Sequence, residues 1–220
     1  MNAAADDVAE GSILGSPFLD LLPIAGVTIS VLNRQRKSTV IYSSGATASR
    51  LEEIHFDLGD GPLFDCVADA HPVLIPDVSA ADHWPLFLSR AQELGVGGVF
   101  VFPLTLGAAS VGAAVCHTTA VGALDEAAVG AGSALGRAIA GPALRLAIRL
   151  AGDEKRDDDL PIEMRRQVHQ ATGMVILQLD VSATDALARM RAYAFSNGIS
   201  LREVARDVVL RDLDFSAVQE

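Results

Sequence analysis

The chain is short of the residues that build scaffolds by cross-linking. Its 220 residues hold two cysteines, Cys66 and Cys116, without a C-x-x-C spacing. That excludes a disulfide framework and a paired-cysteine zinc site, and each thiol reads as a small buried hydrophobe. Long apolar runs are missing too. A membrane helix needs about 18 uninterrupted apolar residues, and the Ala-rich stretch 127–151 is broken by Arg137, Pro142, Arg145 and Arg149. The opening residues, MNAAADDVAEGS, are acidic and lack a basic segment before an apolar one, so no secretory leader is expected. A soluble cytoplasmic protein without membrane contact is the expectation. A phosphate-binding glycine loop is absent, because GDGPLF lacks the downstream glycine and lysine. His55, His71, His83 and His117 are dispersed with no i,i+4 pair. No metal, haem or other cofactor is therefore expected.

What is present is apolar mass. Half of the residues are hydrophobic and the mean hydropathy is +0.32, enough for one large domain or an ordinary domain with a small appendage. The net charge is −11, which on its face argues against nucleic acid. Its distribution does not. Residues 1–154 hold 8 basic against 17 acidic residues, whereas residues 162–211 hold seven arginines against five acids, a net +2. Every basic residue in that last segment is arginine, the side chain suited to bidentate and stacking contacts.

Along the chain, AGVTISVL (25–32) and TVIYSS (39–44) are β-branched runs either side of a polar turn and predict a hairpin. VLIPD from Val73 predicts a third strand. GGVFVFPL (97–104) and SVGAAVCH (110–117), joined by LGAA, predict a second hairpin. Two short helices are expected between them, one behind Pro62 and one through HWPLFLSRAQELGV. Antiparallel strands with helices on one side give an α+β domain. A helix from Leu124 to about Ala151 closes it, kinked at Pro142, with an Ala/Gly face suited to a dimer seam. The charged break GDEKRDDDLP (152–161) is the expected linker.

Residues 162–210 predict three helices. Met164, Val168, Ala171, Val175 and Leu179 mark an apolar face at helical period. Ser182 with Asp185, and Ser200 with Glu203, have capping-box spacing, and Asn197-Gly198 ends the middle helix. A unit of about 50 residues is small enough to need docking or dimerisation.

The segment QATGMVILQLDVSATDALARMRAYAFSNGISLREVARDVV resembles the ANTAR domain, the RNA-binding module of bacterial transcription antitermination regulators. Ala171 and Gly173 match its A-x-G element. Ala186, Leu187, Met190, Arg191 and Ala194 match the second element, and Leu201, Val204, Ala205 and Val208 the third. One departure stands between Ala171 and Gly173, where the family often has lysine and this chain has Thr172. LGDGPLFDCVADAHPVLIPDVSAADHWPLF and VFVFPLTLGAASVGAAVCH resemble a GAF domain, a ligand-sensing module often fused to ANTAR domains in actinobacteria. The resemblances imply a GAF sensor over residues 1–151, with its small-molecule ligand unidentified. They imply an ANTAR unit over 162–215 that binds paired RNA stem–loops in nascent transcripts.

Gly173 raises the question of why a helix should carry glycine at its middle, where it costs about 1 kcal/mol relative to alanine. Close helix packing is one reading. The other is that Ala171 and Gly173 let an unpaired loop base lie against the helix. Arg191 follows the core residue Met190 and points off the core towards phosphate or base. Tyr193, one of two tyrosines, suits base stacking or core packing. Arg165 with His169, and Arg202 with Arg206, are like-charged i,i+4 pairs that repel unless an anion or nearby acids neutralise them. Arg166, Gln170 and Thr172 complete the expected RNA-contacting set.

The reading is a regulator without catalysis, acting as a homodimer. Two alternatives come from other classes: a DNA-binding helix-turn-helix, and a GAF-type free methionine sulfoxide reductase using Cys66 or Cys116. The reductase would need an exposed low-pKa thiolate. Asp65 and Asp69 flank Cys66 and would raise its pKa.

Overall fold

The computed structural model describes residues 3–33, 38–153, 162–197 and 199–216. The chain divides into two compact units, Met1–Asp153 and Glu154–Glu220. The expected turn residues 34–37 and the linker residues 154–161 lie outside the described residues.

The first unit is built on one antiparallel sheet. Its strands are β1 (Gly26–Leu32), β2 (Ser38–Ser43), β3 (Val73–Ile75), β4 (Gly98–Leu106) and β5 (Ala109–Thr118), in the order β2-β1-β5-β4-β3. Both expected hairpins form: β1 pairs with β2, and β4 pairs with β5 around a turn at Gly107, where φ is +62°. Pro103 is tolerated inside β4 because β3 pairs only with Val99–Val101 and asks nothing of position 103.

The sheet is buried on both faces. Alternate β4 residues separate into two cores: Phe100, Phe102 and Leu104 on one side, Val99 and Val101 on the other. Helices were expected on one side, and the structure corrects this. α1 (Ala3–Leu21) and α5 (Glu126–Asp153) contribute to the first core. α2 (Ala46–Leu58), α3 (Pro62–Asp69) and α4 (Pro85–Glu93) contribute to the second. α3 begins with Pro62, as read from the sequence, and α4 begins at Pro85 within the expected HWPLFLSRAQELGV stretch.

α1 and α2 were not legible. α1 carries Gly11, Gly15 and Pro17, poor helix formers in isolation. The glycines serve contact with β2: a Cβ at Gly11 would lie 2.4 Å from the Ile41 carbonyl oxygen, and one at Gly15 would strike the Tyr42 ring. α2 starts at Gly45, which offers no capping side chain, and its buried face includes Glu52 and His55 among apolar residues. One oxygen of Glu52 is met from β2, where Ser38 Oγ donates to Oε1 at 2.6 Å, while Oε2 is buried without a hydrogen-bond partner among the described residues.

α5 continues through Pro142 as one 28-residue helix. Its glycines fall into two groups. A Cβ on Gly132 would lie 2.5 Å from the Phe102 ring, and one on Gly136 2.5 Å from the Pro103 carbonyl oxygen. Part of the small-residue face expected to form a dimer seam is therefore engaged within the chain, where it lets α5 approach β4. Gly130 faces open space. Arg149, near the end of α5, pairs with Asp7 at 3.5 Å and with Glu10, both on α1.

The second unit consists of α6 (Ile162–Leu179), α7 (Ala183–Asn197) and α8 (Leu201–Leu210). Val168, Ala171, Val175, Ala186, Met190, Leu201, Val204, Ala205 and Val208 form its interior. The Ser200–Glu203 capping box forms in full, whereas at Ser182 the hydroxyl is engaged but the reciprocal bond from its backbone is not among those described. Asp185 N–H donates to Ser182 Oγ at 3.1 Å, and Glu203 N–H to Ser200 Oγ at 3.2 Å. Ser200 N–H in turn donates to Glu203 Oε2 at 2.9 Å. Gly198, the second residue of the expected helix-ending pair, lies outside the described residues. Among the described residues no helix is long and apolar enough to cross a membrane.

The two classes of α5 glycine predict opposite outcomes. Gly136→Ala forces a methyl against backbone and should destabilise the first unit by roughly 1–3 kcal/mol. Gly130→Ala meets nothing and should stabilise it by up to about 1 kcal/mol. Urea denaturation followed by circular dichroism measures both.

Candidate nucleic-acid interface

On a helix, successive residues are turned by about 100°, so neighbours in sequence face different ways. At the A-x-G element this decides the roles. Ala171 is fully buried and Thr172 is 9% exposed, both facing the interior with Val168 and Val175. Thr172 Oγ donates back to the Val168 carbonyl at 2.6 Å and lies 3.9 Å from Met190 Sδ. Both of these expected RNA-contacting side chains are buried in the core of the described unit. Thr172 supplies a shape for α7 to rest on, and its bond to the preceding turn satisfies the hydroxyl.

Gly173 is different. A Cβ built there meets nothing within 4 Å. Of the two readings of this glycine, packing within the described unit is excluded. It lies on a stripe with Gln170 and Leu177, spaced by three and four residues, directly opposite the buried face. Gln170 is exposed, Gly173 half-exposed, and Leu177 is 86% exposed. His169 is exposed beside this stripe. Arg165 and Arg166 belong to the first turns of α6, but their side chains lie outside the described residues.

The remaining candidates sit on the other two helices. On α7, Arg191 and Tyr193 are half-buried. Tyr193 meets Phe215 edge to face, with ring centroids 5.5 Å apart. Phe215, 6% exposed, is anchored by its own N–H donating to Gln178 Oε1 at 3.2 Å. The aromatic ring considered for stacking is thus engaged by the segment that follows α8. On α8, Arg202 and Arg206 are exposed, and Arg206 donates through Nε (3.0 Å) and Nη2 (2.9 Å) to Asp207. Hydrogen bonds from the backbone and side chain of Ser200 hold the exposed Glu203 carboxyl below its usual range. The structure therefore brings Gln170 and Gly173 onto one surface and distributes the arginines among separate helices. Leu177 and Phe215 escaped the sequence reading. Leu177 was detectable as an apolar residue four positions beyond Gly173, on the face opposite the apolar one.

In the first unit the chemistry-bearing side chains turn inward. His55 Nδ1 donates to the Leu51 carbonyl at 2.9 Å, and Nε2 accepts from Leu63 N–H at 3.3 Å. Its ring lies 4.3 Å from that of Phe87. Burial pushes its pKa down to about 3, against the Leu51 hydrogen bond, so the ring is neutral. Burial lowers His117 as well. Cys66 and Cys116 are both fully buried. Burial first, and the Asp69 charge second, push the Cys66 thiol up to about 12, opposed by a backbone hydrogen bond at Val73. Burial also raises Cys116. No cluster of three potential metal ligands occurs among the described residues. A cleft of about 460 Å³ opens beside Leu32, Phe64, Asp65 and Ser110.

Residues 162–209 match the ANTAR domain model. No curated protein matches the chain. Solved structures similar to it cover the first part. The GAF domain region of a Geobacter sulfurreducens PCA protein is 14% identical, with a TM-score of 0.52 over 66% of this chain and 99% of that one. A GAF domain/HD domain protein from Geobacter sulfurreducens is 14% identical, with a TM-score of 0.50 over 65% and 95%. A type II free methionine-R-sulfoxide reductase from Thermoplasma acidophilum is also 14% identical, with a TM-score of 0.50 over 66% and 97%. At these identities the likeness is one of fold. The chain thus has a GAF-like fold followed by a helical segment that matches the ANTAR domain model.

Two expectations follow from this geometry. Since none of the described residues occupies the space over Gly173, Gly173→Ala should stabilise α6 by about 1 kcal/mol. That is a rise of roughly 4–8 °C in the unfolding midpoint of the second unit, measurable by differential scanning calorimetry. His55 is excluded from its charged form in the folded state, whereas the unfolded chain takes up the proton below about pH 6.5. Its contribution to stability is full above that pH and is lost as pH falls towards 3. His55→Gln, less stable at neutral pH, should show a flatter stability profile through the upper part of that window by urea titration.

Proposed function

We propose that the chain is an RNA-binding regulator of transcription termination of the actinobacterial GAF–ANTAR type, in which a sensor controls an effector that binds paired stem–loops. The observation that carries this reading is the ANTAR match over residues 162–209. Three features support it. Residues 162–211 carry net positive charge within an acidic chain. All of that charge is arginine, which pairs with phosphate in a fixed fork. The outward stripe of α6 exposes helix backbone at Gly173, where an unpaired loop base can approach.

The protein acts in the cytoplasm as a homodimer. The outward face of α5 bears exposed Ala127, Gly130, Ala134 and Ala138, small enough for a second helix to come close. Two effector copies suit two RNA loops, because bivalent engagement raises avidity without new contacts. The sensor takes a small molecule that these residues do not identify, and no catalytic step is involved. Both thiols are buried and pushed up in pKa, opposite to what a nucleophilic cysteine requires. Duplex DNA is a poorer fit than RNA. On α8, the helix that would read a groove, Arg206 is engaged by Asp207 and the N-terminal turn is acidic at Glu203.

Gel shifts test the reading. A two-hairpin RNA should form a complex that unrelated hairpins do not compete away, weakening with salt as phosphate contacts are screened. Arg202→Ala should weaken it about ten-fold and reduce the salt slope by about one. Equal affinity for random duplex DNA overturns the RNA assignment. Light scattering at the mass of one chain, free and RNA-bound, overturns the dimer.

A further inference from the structure

Leu177 is not part of the described core. It is 86% exposed, the highest exposure among the large hydrophobic residues described, and lies opposite the buried face of α6. A single exposed leucine is ordinary. Its position is what distinguishes it. Leu177 stands one turn beyond Gly173, and helical side chains lean towards the N-terminus, so Leu177 covers surface lying over the preceding turn. That turn contains the one place on the stripe where the backbone is bare, since a Cβ on Gly173 meets nothing within 4 Å. Gln170, exposed, stands one turn before. The three residues make a floor without a side chain, an apolar wall at one end, and an amide at the other. The amide can both donate and accept.

We propose that this stripe seats one unpaired RNA base, its face over Gly173 and against Leu177, and its polar edge within reach of the Gln170 amide. The inference rests on the RNA-binding reading and deepens it by naming the base-contacting residues. The chemistry fits a nucleobase: flat, apolar on its face, polar on its edge, and bound by stacking against apolar or aromatic groups once it leaves the helix stack. Charge points the same way. His169 is exposed beside the stripe, Arg165 and Arg166 precede it on the same helix, and the segment has a net positive charge. These surroundings attract a phosphate backbone. Tyr193, held by Phe215, is not needed as the stacking surface.

The experiment uses the full chain and a two-hairpin RNA, with Leu177→Ala, Leu177→Phe and Gln170→Ala. Leu177 is exposed, so its replacement should leave the unfolding midpoint within a degree or two. Leu177→Ala should weaken RNA binding about ten-fold, as losing one stacked base does. The salt slope should be unchanged, because no phosphate contact is lost. Leu177→Phe should restore affinity. Gln170→Ala should narrow the preference between hairpins that differ only in the loop base. If the unchanged protein binds no hairpin RNA, the RNA-binding reading fails. If it binds and Leu177→Ala binds equally well, the seat is overturned while that reading stands. A shift to smaller particles in light scattering with unchanged affinity also overturns it, assigning Leu177 to a contact between copies of the chain.

Discussion

The burial of one five-stranded sheet on both faces is the constraint on which the first unit depends. β4 and β5 are covered above and below, so two helical layers must come close enough to exclude water from side chains as large as Phe100 and Phe102. On the α1/α5 side the distance is set by glycine. Gly11 and Gly15 admit α1 to β2, and Gly132 and Gly136 admit α5 to β4. A helix closing on a sheet at this range cannot carry Cβ atoms at the contact. The loss of helix propensity at four positions, about 1 kcal/mol each, is the consequence. It is offset by the apolar area that close contact removes from water.

That constraint explains what the sequence could and could not disclose. The strands were legible because residues buried on two faces form continuous β-branched and aromatic runs, as in GVFVFPL, bounded by glycine. α3 was legible from its leading proline and α4 from its helical pattern. α1 was not, because its glycines and proline are what a loop would show, and only β2 gives them a reason. α2 hid for another cause: Glu52 and His55 interrupt its apolar period, yet both are buried and hydrogen-bonded. Helices were placed on one side although α5 was expected, because its sequence does not say that it packs across the sheet from α3 and α4. In the second unit, helical period sufficed for all three helices, with capping-box spacing marking where α7 and α8 begin.

The candidate site was legible only to the level of the segment. The family pattern identifies A-x-G as a unit, but a pattern of adjacent letters does not say which letter faces which way. The 100° turn between residues separates them: Ala171 and Thr172 belong to the core, while Gly173 belongs to the surface. Thr172, where the family often has lysine, has its hydroxyl occupied by the Val168 carbonyl. The arginines were found by composition, yet their distribution over α7 and α8 follows from how the helices turn. Leu177 was invisible to any rule that treats apolar residues as interior by default.

Two kinds of glycine thus occur in one chain, and the distinction bears on function. At Gly132 and Gly136 the missing side chain is filled by the protein's own atoms, so the lost propensity is recovered within the fold. At Gly173 it is filled by nothing among the described residues. A stability deficit with no internal compensation persists where activity needs the open surface. Loop bases are flat, and affinity for them grows with how closely backbone and apolar side chain can meet the ring. A helix offering Cβ atoms at every position would hold the base away by the width of a methyl group. In the proposed seat, the same absence of a side chain that weakens α6 is what would let a base reach it, with Leu177 one turn beyond the gap.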